Sequence, residues 1–328
     1  MTSFRQAAFW PKFFFAAALS LLTAVPALAQ GYPSRPVTVV VGFGAGSGTD
    51  ILARIIAEEL RVALNQPFLV INKPGATAGI AAESVANSPP DGYTLFITSN
   101  SSHSVNPHLY KALRYDPKKD FTAIGRIADF PFVLVVNPKV PANSPAELVA
   151  YVRANPGKTS YAYGNTPGQV AGAALVKLMK LDSTAVPYKS SPPAMADVAA
   201  GQEDFMVVDL ASSQAFVKAG RLRAIAVTTS TRSQLAPQLP TISETLNLAG
   251  YDLRAWTGMF GPAGMPRDVT ARLSSELQKI LSRPDLRSRL LAGNMEPTPQ
   301  TGTEFEDFLA DQYSVWGAKI KDAGIEPE

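Results

Sequence analysis

Short β-branched runs alternate with helical stripes along most of the chain, and this grammar constrains the fold more than any other feature. Val37-Thr38-Val39-Val40-Val41 fits a strand buried on both faces. Thr49 to Leu64 follows, with apolar residues at Ile51, Leu52, Ile55, Ile56, Leu60 and Leu64 on one helical face. Phe68–Ile71 reads as a strand, Ile80–Ala86 as a short helix and Tyr93–Ile97 as a third strand. The order βαβαβ predicts a parallel sheet with right-handed crossovers.

The same grammar returns further on. Strands are expected at Phe132–Val136, Ser160–Tyr163, Ala185–Val186, Phe205–Val208 and Ala224–Thr228. Helices fit at Ser144–Ala154, Val170–Met179, Pro193–Ala199 and Ser212–Ala219. The C-terminal part reads as helical at Asp268–Leu281, Pro284–Ala292 and Thr303–Ala323. No flexible tether separates the two α/β units, so short crossovers should join them, with hinges at Ala128–Pro131 and Gly250–Asp252. The expected partition is residues 30–129 plus 252–328 in one lobe and 130–251 in the other. A cleft between two such lobes suits a ligand enclosed by closure.

Residues 1–29 read as an address. Arg5 and Lys12 give a basic start, Phe13 to Ala24 is apolar, and Ala27-Leu28-Ala29 is a small-x-small cleavage site. A secretory signal peptide cut after Ala29 is predicted; the apolar run is shorter than the roughly 20 residues of a membrane span. Without Arg5 and Lys12 the formal charge falls from +3 to +1. So small a charge gives no support for nucleic-acid binding. The chain has no cysteine and 2 histidines. That composition excludes disulfide scaffolds, thiolate metal sites, thiol catalysis and lipidation at an N-terminal cysteine.

Four segments at strand-to-helix junctions could hold a ligand. Gly42-Phe43-Gly44-Ala45-Gly46-Ser47-Gly48-Thr49-Asp50 combines a pliable backbone with a helix start, a combination that binds anions. It lacks the Gly-x-Gly-x-x-Gly spacing, and Asn72-Lys73 stand where a dinucleotide fold needs an acid. No Gly-Lys-Ser/Thr follows, so a P-loop fails too. A structural glycine turn remains the alternative. Thr98 to Pro107 carries five hydroxyls, two amides and His103 past the carboxyl end of a strand. A merely solvated loop is the alternative. Tyr163-Gly164-Asn165-Thr166-Pro167-Gly168-Gln169 repeats the logic in the second unit. Asp209 ends a strand and could accept from a hydroxyl or an ammonium, or cap the next helix.

Catalytic readings are weak. Ser47 has no nucleophile elbow, and any triad would have to use His103 or His108. Glu58 and Glu59 are adjacent on a helix and diverge. His103 and His108 lack the spacing of a helical metal pair. His108 reads as a packing residue. Neither a metal nor a cofactor is expected.

Together these segments resemble the extracytoplasmic solute receptors of tripartite tricarboxylate transporters, the Bug family. The resemblance rests on Tyr32–Pro36, Val41–Asp50, Asn72–Ala76, Asp91–Leu95, Asn106-Pro107, Val186–Lys189, Ala219–Ala224, Gly261–Pro266 and Lys321–Ile325. Gly42 and Ala45 stand where many members have proline, and Gln169 where many have histidine. The resemblance implies an α/β, two-lobed periplasmic-binding-protein fold (type II), with two crossovers and a ligand cleft between the lobes. It implies ligand contacts at Phe43, Ser47, Thr49, Asp50, Asn100, Ser101, His103, Asn165, Thr166 and Asp209. The expected ligand is a small carboxylate: a di- or tricarboxylate, an aromatic acid or an acidic amino acid. Expected partners are the membrane permease subunits, and the receptor is expected to be a periplasmic monomer. The alternatives are an exported serine hydrolase using Ser47 or Ser101 with His103, and a ligand sensor for a two-component signalling receptor.

Overall fold

The computed structural model describes residues 31–327, so the predicted signal peptide lies outside the described residues. The chain divides into Met1–Ser34 and a compact unit, Arg35–Glu328, that holds every element described below.

The first unit follows the sequence reading. Strand β1 (Val37–Val41) leads to helix α1 (Gly48–Leu64), then β2 (Phe68–Asn72), α2 (Gly79–Ala86) and β3 (Thr94–Ser99). Strand β1 pairs in parallel with β2 on one side and β3 on the other. Of the stripe read from the sequence, helix α1 buries Leu52, Ile56, Leu60 and Leu64 and half-buries Ile51 and Ile55; Ala53 and Ala57 are buried beside them. Each large side chain of that face contributes about 1.5–3 kcal/mol by leaving water. Asn65 ends the helix in the left-handed conformation that favours asparagine.

The segment after β3 departs from the expected loop. Ser101–Val105 forms a π-turn that runs into the short helix α3 (Asn106–Leu109), and all of Thr98–Asn106 is buried. Much of so polar a segment is buried by bonding to itself and to its neighbours, although Asn100 Oδ1, His103 Nε2 and Ser104 Oγ have no protein partner. Thr98 Oγ1 meets Ser102 Oγ at 2.9 Å, and Tyr115 donates to the Ser102 carbonyl at 2.9 Å.

Strand β4 (Phe121–Val136) is far longer than the expected Phe132–Val136. Gly125, Asp129 and Pro131 conceal its first part, because each is a poor residue for a regular strand. The fold accommodates them by register shifts near Ala123/Gly125 and Arg126/Ala128. A short ion pair joins Arg126 and Asp129, and the guanidinium lies 3.7 Å from the Phe308 ring centroid.

Helix α4 (Pro145–Ala154) starts at Ser144, whose Oγ accepts from Glu147 N, and Asn143 N donates to Glu147 Oε2. Next come β5 (Thr159–Tyr163), α5 (Thr166–Leu178), β6 (Ser183–Pro187), α6 (Ser191–Ala200), β7 (Phe205–Asp209), α7 (Leu210–Lys218), β8 (Arg223–Val227) and a short α8 (Ile242–Leu246). Strand β5 pairs in parallel with β6 and β7, which repeats the pattern of the first unit.

Strand β9 (Arg254–Pro262) returns the chain to the first unit. Its Gly258 and Gly261 resemble loop residues in sequence. In the fold a Cβ on Gly258 would sit 2.7 Å from the Phe305 ring, and one on Gly261 would overlap Met265 Sδ. Helices α9 (Arg267–Ser282), α10 (Pro284–Ala292) and α11 (Gly302–Ala323) match the expected helical ending. Strand β10 (Glu296–Gln300) lies between the last two and pairs antiparallel with β4, despite two prolines.

The ladder path is β2-β1-β3-β9-β4-β7-β5-β6, with β8 and β10 also paired to β4. The parallel expectation holds for both βαβ units, but β4, β8, β9 and β10 add antiparallel pairs. Strand β4 changes neighbours within its length. Phe121–Pro131 pairs with β9, and Phe132–Val136 pairs with β7 and β8. Two separate apolar clusters accompany the two halves, one around Phe96, Trp256, Phe260 and Phe305, the other around Val133, Val135, Met195 and Met206.

Candidate functional site

A cleft, open in part to solvent, lies where β4 changes neighbours. Phe130 and Phe132 flank Pro131 at that point, and both line it. Ala255 comes from the start of β9, and the remaining walls come from the carboxyl end of a strand, the loop after it or the helix that follows. Ser47, Gly48 and Thr49 start α1, and Asn165 and Pro167 start α5. Ser191 is the first residue of α6, and Asp209 is the N-cap of α7. Four helix N-termini therefore converge on one space. Each carries a partial positive charge and N–H groups that its own helix cannot satisfy.

Glycines make this convergence possible. A Cβ on Gly48 would overlap Asp209 Oδ1 and come within 3.1 Å of the Phe130 ring. One on Gly164 would overlap the backbone between Ser190 and Ser191. Asn165 then ties two helices together: its Oδ1 accepts from Gly168 N at 2.8 Å, and its Nδ2 donates to Ser191 Oγ at 3.2 Å.

Among the lining residues there is no lysine, arginine or histidine, and Asp209 is the sole ionisable side chain. Burial pushes its carboxyl above the usual range, and hydrogen bonds from Ser212 oppose that rise. Its Oδ1 accepts from Ser212 N at 2.7 Å, so it caps its helix and faces the cleft at once.

Of the ten residues singled out from sequence, Phe43, Ser47, Thr49, Asn165 and Asp209 line the cleft. The other five are buried next to it or behind it. Asp50 accepts from Gly46 N at 2.9 Å, Arg54 Nε at 3.1 Å and Asn72 Nδ2 at 2.8 Å. Burial raises its carboxyl, but these bonds outweigh burial and hold it below the usual range. Asn72 Nδ2 also donates to the Phe43 carbonyl at 2.9 Å, which pins the first loop. Ser101 stands behind Ser99, whose Oγ it meets at 3.1 Å. Asn100 Nδ2 reaches the Arg254 carbonyl at 3.4 Å. Thr166 Oγ1 donates to Asn106 Oδ1 at 3.1 Å.

His103 stacks on Phe260 with ring centroids 3.9 Å apart. Its Nδ1 meets Ser102 Oγ at 2.9 Å, Nε2 has no protein partner, and burial drives its pKa down to about 3. His108 packs as expected, with Nε2 2.8 Å from the Tyr313 carbonyl. Among the described residues no cluster of three or more His, Asp or Glu side chains could hold a metal, and no helix is long and apolar enough to cross a membrane.

Ser99 lies in the second candidate segment, whereas sequence reasoning missed Phe130, Phe132, Ser191 and Ala255. Ser191 was within reach, since it also begins a helix after a strand. Phe130 and Phe132 were not, because their place depends on β4 changing partners.

This architecture, with a cleft where two α/β units meet, defines a two-lobed periplasmic-binding-protein fold. The chain belongs to the tripartite tricarboxylate transporter family of receptors, whose model matches residues 52–325. It is 30% identical to Protein BugT of Bordetella pertussis over 306 residues, covering 92% of this chain and 93% of BugT. The structure of periplasmic binding protein BugD superposes with a TM-score of 0.85 at 32% identity, covering 90% of this chain and 100% of BugD. Rpa4515 of R. palustris, solved with adipate, gives 0.88 at 32% identity over 90% of this chain and all of that one. MatC of Rhodopseudomonas palustris, solved with bound malate, gives 0.82 at 30% identity over 88% of this chain and all of MatC.

Proposed function

We propose that this receptor captures a small organic carboxylate in the cleft and delivers it to membrane subunits of a tripartite transporter. The observation that carries the reading is the convergence of four helix N-termini on a space with no basic side chain. Partial charges and neutral donors bind an anion and still let it go, as a transport receptor requires. The Phe43, Phe130 and Phe132 rings supply apolar walls for a carbon skeleton. Adipate and malate in the two related structures fit the same chemistry.

We place the lobes at residues 30–129 plus 252–328 and at 130–251. The change of β4 pairing between Pro131 and Phe132 supports a boundary close to the first of these limits. The first β9 pair, Arg254 with Pro131, supports the second. Phe43, Ser47, Thr49, Asn165 and Asp209 are the ligand-contacting set. Asp50, Asn100, Ser101, His103 and Thr166 shape the walls behind them. The mature protein acts as a periplasmic monomer after cleavage at Ala29.

A serine hydrolase is disfavoured. The ring of His103 meets Ser102, which is itself buried, and neither Ser47 nor Ser101 is among its hydrogen-bond partners. A signalling role would use the same cleft.

Thermal shift of the purified receptor against adipate, malate, aromatic acids and acidic amino acids tests the reading. A ligand at a hundred times its Kd stabilises the fold by about 2.7 kcal/mol. Absence of any shift across these acids would overturn the carboxylate reading.

A further inference from the structure

Thr166 is the first residue of α5, adjacent to the cleft-lining Asn165, yet its side chain turns to Asn106 in the segment after β3. The Asn106 amide is fully used. Its Oδ1 accepts from Thr166 Oγ1 at 3.1 Å and from Thr77 Oγ1 at 3.2 Å. Its Nδ2 donates to the Thr77 carbonyl at 3.1 Å and toward Tyr115 Oη at 3.4 Å. An asparagine side chain offers two acceptor and two donor sites, so no capacity remains. Asn106 and Thr166 are both fully buried.

The Thr77 end of this network is unusual. Ala76, Thr77 and Ala78 have φ of 45°, 47° and 74°, three consecutive left-handed residues without a glycine among them. Such a run is disfavoured for each residue and persists only when its surroundings hold it. Two of the bonds that hold it come from Asn106. Behind it, Ala78 packs so tightly on Gly42 that a Cβ at Gly42 would overlap it, so the turn also backs the first cleft loop.

We infer that the Thr166 hydroxyl and the Asn106 amide form a latch that holds the closed arrangement of the cleft. The inference rests on the two-lobed closure reading above. Asn106 belongs to the unit built on β1, and Thr166 to the unit built on β5. Their bond crosses between the units one residue from a cleft wall. A ligand that draws Asn165 inward seats Thr166 on Asn106, and Asn106 already clamps the strained turn behind the opposite wall. Opening breaks the Thr166 bond and leaves the three remaining Asn106 bonds within the first unit. Thr166 is thus a positioning residue, and its hydroxyl acts through Asn106 without touching ligand.

The absence of native cysteine allows a direct test in the full mature chain. Val62 on α1 and Leu178 on α5 are 62% and 49% exposed, on helices that start at the cleft from its two sides. Cysteines at both positions carry spin labels, and pulsed electron resonance reads their distance with and without saturating adipate or malate. Thr166→Val is expected to shift the ligand-free distribution away from the closed distance. Thr166→Ser, which keeps the hydroxyl, is expected to restore it. Release of a bound carboxylate from Thr166→Val should be several-fold faster. Thr166→Ala, which cannot overfill the site, replaces the valine variant if that one does not fold. Distributions for Thr166→Val that match the parent would overturn the latch. If neither acid binds the parent, the carboxylate reading suffers, and the ligand-free distances still decide the latch.

Discussion

Asp209 Oδ1 occupies the space that a side chain on Gly48 would need. The carboxylate that caps α7 thus lies against the start of α1. On the proposed lobe division the contact joins the two units across the cleft and belongs to a closed arrangement.

Gly48→Ala should therefore act on closure. The added methyl overlaps Asp209 only while the units are together, and alanine is otherwise a good helix residue. Carboxylate affinity by calorimetry is expected to fall about tenfold or more, the equivalent of about 1.4 kcal/mol, with little change in the unliganded melting temperature. Unaltered affinity would contradict the contact.

Asp209→Asn separates charge from capping. Burial raises the Asp209 carboxyl, so its favourable contribution is complete at pH below the unfolded pKa and fades as pH rises through the folded one. Asparagine still caps a helix and carries no charge to desolvate. The variant should melt at or above the parent temperature at pH 7, whereas Asp209→Ala should lose about 1 kcal/mol with the cap. A plain dicarboxylate should bind Asp209→Asn at least as well as the parent, and a ligand that donates an ammonium to Asp209 should bind it worse.

His103 makes the fold acid-sensitive. Its pKa of about 3 is depressed by burial, so in acid the unfolded chain takes a proton that the folded chain refuses. Stability is unaffected by this group above about pH 6.5 and declines as pH falls from there toward 3, by at most about 1.4 kcal/mol per pH unit. His103→Gln should flatten the denaturation midpoint between pH 6.5 and 4 and leave ligand affinity nearly unchanged. An equally steep decline in the variant would place the acid response elsewhere.

Gly164→Ala should damage the fold itself. Its methyl would overlap the Ser190–Ser191 backbone inside the second unit, whether or not ligand is bound. Overpacking of this kind costs about 1–3 kcal/mol. Urea denaturation should show the loss with and without adipate. A midpoint equal to the parent's would mean that the backbone yields freely there.

Much of this molecule is written locally. The stripe of α1, the caps at Ser47, Ser144 and Asp209, and the two parallel βαβ units all follow from short-range patterns. Local pattern also marked the junctions that carry Phe43, Ser47, Thr49, Asn165 and Asp209. The polar run Thr98–Asn106 looked like a solvated or ligand-facing loop; it is buried, bonded largely to itself and its neighbours, and brings Ser99 to the cleft. Burial of serines depends on partners as distant as Tyr115, which periodicity does not register.

By itself the sequence determined which segments are strands and helices and where most helices begin, because hydrophobic period and capping act within a few residues. Tertiary structure alone decided that β4 passes from β9 to β7 at Pro131, that four helix starts meet at one cleft, and that Thr166 turns to Asn106. Those outcomes depend on residues 60 or more positions apart being brought within a few ångströms. Glycines at 48, 164 and 258 permit that approach only because of what packs against them.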